Sequence, residues 1–142
     1  MKAISGDYTD PIGQRIANWY VEQSKWPFYT VYTAIGFEDE YGYLRGAAIF
    51  TDFNGANIEL HFIGSGMLNR RNIKMIGNYV FNELKCVRLT IRLLRKDKKI
   101  AKLFDRLGFE YECTLKSYYG LHPSQDALVF RMFRQQAEKW IE

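Results

Sequence analysis

The apolar positions change rhythm several times along the chain. Ile12, Ile16, Trp19 and Tyr20 recur on one helical face, and Asp10 followed by Pro11 supplies a cap and a pre-set first turn. This spacing predicts a first helix from Pro11 to about Gln23. Pro27 in "SKWPFY" then forces the chain to leave the helix, because it lacks an amide proton and disfavours helix in the residue before it. "TVYTAIGFEDE" and "YLRGAAIFTDF" are rich in β-branched and aromatic residues and meet at the polar "EDEYG", which predicts an antiparallel hairpin.

"NIELHFIG" alternates as a further strand. After it, Ile73, Ile76, Gly77, Val80, Phe81 and Leu84 fall at helical spacing, predicting one long helix capped by Asn69, with Gly77 allowing close approach to the sheet. "CVRLTIRLL" returns to period two. Asp97 then caps a second helix with Ile100, Leu103, Phe104 and Leu107 on its apolar face, and Gly108 ends it. "FEYECTLKSYY" and "DALVFRMF" read as strands joined by the turn "GLHPSQ", and "RQQAEKWIE" is weakly helical. The strand-helix-strand unit in the middle requires a local parallel pairing, whereas the flanking hairpins are antiparallel. The expectation is a mixed sheet in a three-layer α/β arrangement.

A chain of 142 residues has the size of one domain, and 47% hydrophobic and 16% aromatic residues suffice for a packed core. No apolar run is long enough to span a bilayer, and "MKAISGDYTDP" has no apolar signal-peptide centre, so a cytoplasmic protein without a membrane partner is the simplest reading. Cys86 and Cys113 lack metal-ligand spacing and read as plain thiols in a reducing compartment, with no metal expected. The net charge of +4 is mild, but cations bunch in "NRRNIK" and "IRLLRKDKKIAK", which suits an anionic partner. Nucleic acid is the less favoured such partner, because no recognition motif accompanies the charge.

Candidate chemistry sits where period two gives way to period 3.6. Asn57, Glu59 and His61 share one face of their strand, so a carboxylate and an imidazole lie side by side where either can act as a general base or position a water. Mutual satisfaction of the two, or an open face, is the structural alternative. The following crossing offers free amides at a helix N-terminus, glycines that admit a ligand, and Arg70, Arg71 and Lys74, a combination that favours a pyrophosphate. The glycine motifs of P-loops and dinucleotide folds are absent. Trp19, Trp26, Phe28, Tyr29, Tyr118 and Tyr119 form an aromatic set able to line an acceptor groove or to build core.

The segment "LHFIG...RRNIKMIGNYVFNELKCVRLTIRLLRKDKKIAKLFDRLGFEYECTLKSYYG" resembles the Gcn5-related N-acetyltransferase (GNAT) superfamily, in particular its ribosomal-protein-acetylating type and short phage-encoded relatives. The resemblance runs from about Val31 to Arg134 and is most specific in "DRLGFEYECTLKSYY". It implies a single acyltransferase-like domain over residues 1–142, with a mostly antiparallel sheet of six or seven strands splayed between the fourth and fifth. Acetyl-coenzyme A would lie in that splay, with its pantetheine on the backbone of Phe62 and Ile63 and its pyrophosphate near Gly66, Asn69, Arg70, Arg71, Asn72, Ile73 and Lys74.

The amine acceptor, a small molecule or a protein, would enter past Trp26, Phe28 and Tyr29. The resemblance further implies direct attack of a primary amine in a ternary complex, with Glu59 or His61 removing the proton. Either Arg70 or His61 can open the phosphate loop. Asp97 stands where relatives carry a cofactor-contacting asparagine, and Phe104 where many carry the tyrosine that protonates the thiolate, so Tyr118 or Tyr119 is the candidate acid. The alternative is a binding protein on the same fold that engages a host protein without turnover. Either a monomer or a homodimer is compatible with the sequence.

Overall fold

The computed structural model describes residues 2–141, with the backbone alone at Ser65. Seven strands, β1 (Lys2–Asp7), β2 (Thr33–Glu38), β3 (Leu44–Thr51), β4 (Asn57–Ile63), β5 (Arg88–Leu94), β6 (Glu110–Leu115) and β7 (Ala127–Phe133), form one sheet in the order β1-β2-β3-β4-β5-β7-β6. Every pairing is antiparallel except β4 with β5. The predicted mixed sheet is therefore present, with one strand more than the periodicity showed. β1 escapes a pattern search because "KAISGD" is an edge strand with no buried residue and no apolar alternation.

Helix α1 (Pro11–Ser24) packs on one face of β1 to β4, where Ile16, Ala17, Ala34, Leu44, Ala47 and Ile49 make a small core. Asp10 Oδ1 accepts from the Ile12 amide at 2.8 Å, as the Asp-Pro start predicts. The opposite face carries the larger core, built from Phe37, Phe50, Ile58, Leu60, Ile91 and Phe130 against α2 (Arg70–Gly77), α3 (Lys98–Leu107) and α4 (Arg134–Ile141). The layers are helix, sheet and helices. Among the described residues, α1 lies mainly over β1 to β4 and leaves β5, β7 and β6 largely uncovered on its side.

Three expectations change. The single long helix after β4 is α-helical only to Gly77, and Asn78–Glu83 continues it as a wider π-helical segment, with Leu84 N donating to Tyr79 O at 2.9 Å. Gly77 is approached by α4 rather than by the sheet: a Cβ there would lie 2.4 Å from Ile141 Cγ2. The tail expected to be weakly helical is this packed helix, which Trp140 Nε1 anchors by donating to Leu107 O at 2.7 Å. Asp97 occupies the N-cap position of α3, yet its side chain makes no capping hydrogen bond.

The glycines of the β4-α2 crossing have different tasks. Gly64 has φ +93, and a Cβ on it would sit 2.4 Å from Arg45 O, so the chain can cross β3 only without a side chain there. A Cβ on Gly66 would meet nothing within 4 Å. Gly64→Ala is expected to cost ~2 kcal/mol or more through strain and overpacking, whereas Gly66→Ala should stay within ~0.5 kcal/mol, as open surface positions do. Urea unfolding of the two variants checks the contrast.

Candidate active site

The polar residues of β4 and β5 meet because the strands run parallel in register, with Glu59 opposite Thr90 and Asn57 opposite Arg88. Alternation places Arg88, Thr90 and Arg92 on the same face as Asn57, Glu59 and His61, the face that α1 leaves uncovered beyond β4. Thr90 Oγ1 donates to Asn57 Oδ1 at 2.6 Å, and one register step further Arg92 Nη2 donates to Glu59 Oε2 at 2.7 Å. Arg92 Nε lies against the other carboxylate oxygen, Oε1, in an ion pair without hydrogen-bond alignment. Glu59 is 6% exposed, so the pair is a buried one.

His61 is the next residue on this face. Its Nε2 is 2.8 Å from Thr51 Oγ1, and that hydroxyl donates to Asp52 Oδ2 at 2.9 Å. A hydroxyl has one hydrogen, and here the carboxylate takes it, so His61 must donate through Nε2 and keep its lone pair on Nδ1. Burial and the nearby Arg92 charge push the imidazole pKa down to about 4, which leaves the ring neutral at physiological pH. Glu59 moves the other way. Burial raises its carboxyl to about 7 although Arg92 pulls it down, and the Asp52 carboxylate adds to the rise.

The ligand atoms of Asp52, Glu59 and His61 lie within 4.8 Å of one another. Arg92 supplies the positive charge beside Glu59, and the Thr51 hydroxyl links the other two in one hydrogen-bonded cluster. Tyr118 completes it. Its hydroxyl accepts from Arg92 Nη1, and the guanidinium carbon stands 4.6 Å from the centre of its ring. Buried Asp126 fixes the supporting turn by accepting from Ser117 N at 2.8 Å and pairing with Arg95 at 3.1 Å. Tyr119 packs edge-on to Tyr118 at 4.9 Å and lies 5.1 Å from Trp26. Burial raises the phenol pKa of both Tyr20 and Tyr119, so both remain neutral hydrogen-bonding walls.

Beside this cluster the sheet opens. The β4-β5 ladder ends at Leu60 and Ile91, while β4 continues to Ile63 against β3 and β5 continues to Leu94 against β7. The β5-facing backbone of His61, Phe62 and Ile63 is left without a strand partner. At the end of β4, Asn69 Oδ1 caps α2 by accepting from Asn72 N at 2.9 Å, and among the described residues the amides of Arg70 and Arg71 have no protein acceptor.

Solved structures share this architecture at low sequence identity. A point variant of the spermidine N-acetyltransferase SpeG from Vibrio cholerae matches 97% of this chain and 96% of its own at 14% identity, with a TM-score of 0.75. SpeG from the same organism in complex with manganese ions matches 99% of this chain and 98% of its own at 14% identity, with a TM-score of 0.69. A dodecameric spermidine N-acetyltransferase from Vibrio cholerae matches 74% of this chain and 66% of its own at 18% identity, with a TM-score of 0.64.

The fold is that of the GNAT superfamily. No protein-family model matches the chain, and no curated protein matches it in sequence.

Within the GNAT fold the expected site residues separate into those at the opening and those in the core. Phe62 and Ile63 border the opening, Gly66 leaves open space, and Arg70 and Arg71 are exposed at the start of α2 with Lys74 one turn on. Asn72 is buried and donates through Nδ2 to Met67 O at 2.8 Å, so it shapes the turn. The amide of Ile73 is taken by Asn69 O at 2.9 Å, and its half-buried side chain packs on the core. Phe104 is a core residue, edge-on to Phe109 at 5.2 Å.

Of the expected acceptor wall, Trp26 stands beside Tyr119, Phe28 packs on Tyr20 and Tyr32, and Tyr29 is 94% exposed and outside the aromatic cluster. A separate open groove of about 820 Å³ between α1 and the start of β3, lined by Arg15, Asn18, Trp19 and Tyr43, holds none of the candidate catalytic groups.

Sequence reasoning missed Arg92, Thr51 and Asp52. Arg92 had a signal: "RLTIRLL" alternates charge and aliphatic residues, and a polar face on a strand parallel to β4 must meet Glu59. Asp52, with φ +58 just past β3, had none. Nuclear magnetic resonance titration of the histidine rings should give a His61 midpoint near 4, and a midpoint of 6.5 or above contradicts the buried relay. Thr51→Val, which strands the His61 donor, is expected to cost ~1–3 kcal/mol in urea unfolding.

Proposed function

We propose that the chain is an N-acetyltransferase that moves an acetyl group from acetyl-coenzyme A to a primary amine. The parting of β4 and β5 beside a buried proton acceptor carries this reading. The β5-facing backbone groups of the Phe62–Ile63 stretch, which have no strand partner, suit the amides of pantetheine, and the free Arg70 and Arg71 amides, their guanidinium charges and the space at Gly66 suit a pyrophosphate. Lys74, and Arg95 and Lys96 ahead of Asp97 at the start of α3, add charge around the same mouth. Ile73, Phe104 and Asn72 support the site from the core. When bound, the coenzyme supplies a thioester carbonyl open to aminolysis.

The amine enters past Trp26 and Tyr119, whose rings favour an alkyl or cationic body, and meets Glu59 and His61. Holding donor and acceptor together accounts for much of the rate of such a reaction. As the C–N bond forms and the C–S bond breaks, Glu59 takes the amine proton, directly or through a water held by His61 Nδ1, and the Tyr118 hydroxyl gives a proton to the leaving sulfur. Small amines, including the spermidine named for the structural neighbours, are the first acceptors to offer. The site is built within one chain, so a monomer or a homodimer can carry it, and a protein in the cytoplasm would have acetyl-coenzyme A at hand.

Calorimetric titration tests the donor half. Acetyl-coenzyme A is expected to bind in the micromolar range, more weakly without the 3'-phosphate and more weakly to the Arg70→Ala/Arg71→Ala variant, whereas unchanged affinity in that variant rejects the pyrophosphate assignment. The acceptor half predicts that Glu59→Gln/His61→Ala lowers kcat by ~100-fold or more, the usual scale of general-base catalysis, while coenzyme binding persists. Because Glu59 must lose its proton to act, kcat/KM should fall as pH drops through about 7 and show no limb near 6.5 from His61.

A further inference from the structure

We propose that Arg92 is the positioning residue of this site: one guanidinium holds the buried Glu59 carboxyl and the Tyr118 hydroxyl, so that proton acceptor and proton donor hang on the same cation. The inference rests on the roles given to Glu59 and Tyr118 above. Its basis is the division of the guanidinium edge. Nε and Nη2 face the two oxygens of Glu59, and Nη1 is left for the Tyr118 hydroxyl. A planar fork with donors on separate edges makes both contacts at once, which an ammonium does not. Since Tyr118 Oη accepts from Arg92, its own hydrogen stays available to the leaving sulfur.

The surroundings make the cation indispensable. Glu59 is faced by Arg92 from β5, by Asp52 from the end of β3, by His61 on its own strand, by Tyr20 from α1, and by Tyr119 from the turn between β6 and β7, with Tyr118 on the far side of Arg92. Among the described residues in that shell, Arg92 alone carries positive charge. Asp52 repels a second carboxylate, burial keeps Tyr20 and Tyr119 neutral, and His61 is neutral because burial lowers its pKa. Removing Arg92 leaves burial and Asp52 acting in the same direction, toward the protonated acid. A protonated Glu59 takes no proton from an ammonium or amine, so loss of Arg92 should appear as a shift along the pH axis and not only as a loss of rate.

Arg92→Met and Arg92→Lys test this, with two readouts: the Glu59 carboxyl titration, followed by carbon-13 nuclear magnetic resonance, and the pH profile of kcat/KM for acetylation of an amine the wild type accepts. The wild-type midpoint and acid limb should lie near 7. In Arg92→Met both are expected to rise by ~1 pH unit or more, which for a 1-unit rise is a ~fivefold loss at pH 7 that alkaline pH recovers.

Arg92→Lys, which keeps the charge and loses the fork, should hold the midpoint near its wild-type value while kcat falls at every pH. If Arg92→Met does not fold, Arg92→Gln carries the same test, and Glu59→Gln/Arg92→Met, with neither charge buried, serves as the folded reference. An unmoved Glu59 midpoint in the charge-removing variant, or a pH-independent loss equal in both variants, overturns the proposal. A wild type that acetylates no amine would reject the functional reading, while the carboxyl titration would still decide the role of Arg92.

Discussion

The site exists because two neighbouring strands each obey a different partner. β4 is held to β3 as far as Ile63 opposite Ala47, β5 is held to β7 as far as Leu94 opposite Ala127, and the two share a ladder only from Asn57 to Leu60. Strand twist accumulates in opposite neighbours once the common ladder stops, so the sheet opens rather than closes. Backbone donors and acceptors that would be paired in a continuous sheet are thereby left for an extended ligand, which can bond to them as another strand would.

The unequal cover of the sheet supplies the chemistry. Helices α2, α3 and α4 cover one face of the central strands, and on that face β4 and β5 present Ile58, Leu60, Leu89 and Ile91. On the other face α1 reaches only to β4. Polar side chains are tolerated beyond that limit, and a ladder of Asn57 with Thr90, Glu59 with Arg92 and Arg88 with Glu112 forms in the half-covered strip. Glu59 lies at its most buried point, where desolvation outweighs the pull of the arginine and brings the carboxyl into the range useful for proton transfer. The same geometry places this group next to the opening between the strands, where the proposed proton transfer and donor binding would meet.

Much of this was legible in the chain. The Asp10-Pro11 start, the β2-β3 hairpin, the strand-helix-strand crossing and the shared face of Glu59 and His61 all follow from local pattern. What escaped depends on tertiary neighbours. β1 is an edge strand without apolar alternation, and α4 looks weakly helical until Trp140 and Ile141 are seen packing on Leu107 and Gly77. Ile73 and Phe104, expected at the ligand, each pack on core neighbours that local pattern does not reveal. Tyr29 belonged to an aromatic set by composition alone, and spatially it stands in solvent. Arg92 was readable in principle, since the polar phase of "RLTIRLL" must face the polar phase of "NIELHF" once their parallel pairing is granted.

Hydrogen exchange of the backbone amides with and without acetyl-coenzyme A tests the central claim most directly, because the claim concerns which backbone groups the fold leaves unpaired. Slowed exchange is expected only at the β5-facing amides of the His61–Ile63 stretch and in the first turn of α2 at Arg70 and Arg71, with the amides of the β3-β4 ladder unchanged. Binding without protection at those amides, or protection confined to another part of the surface, would contradict the claim.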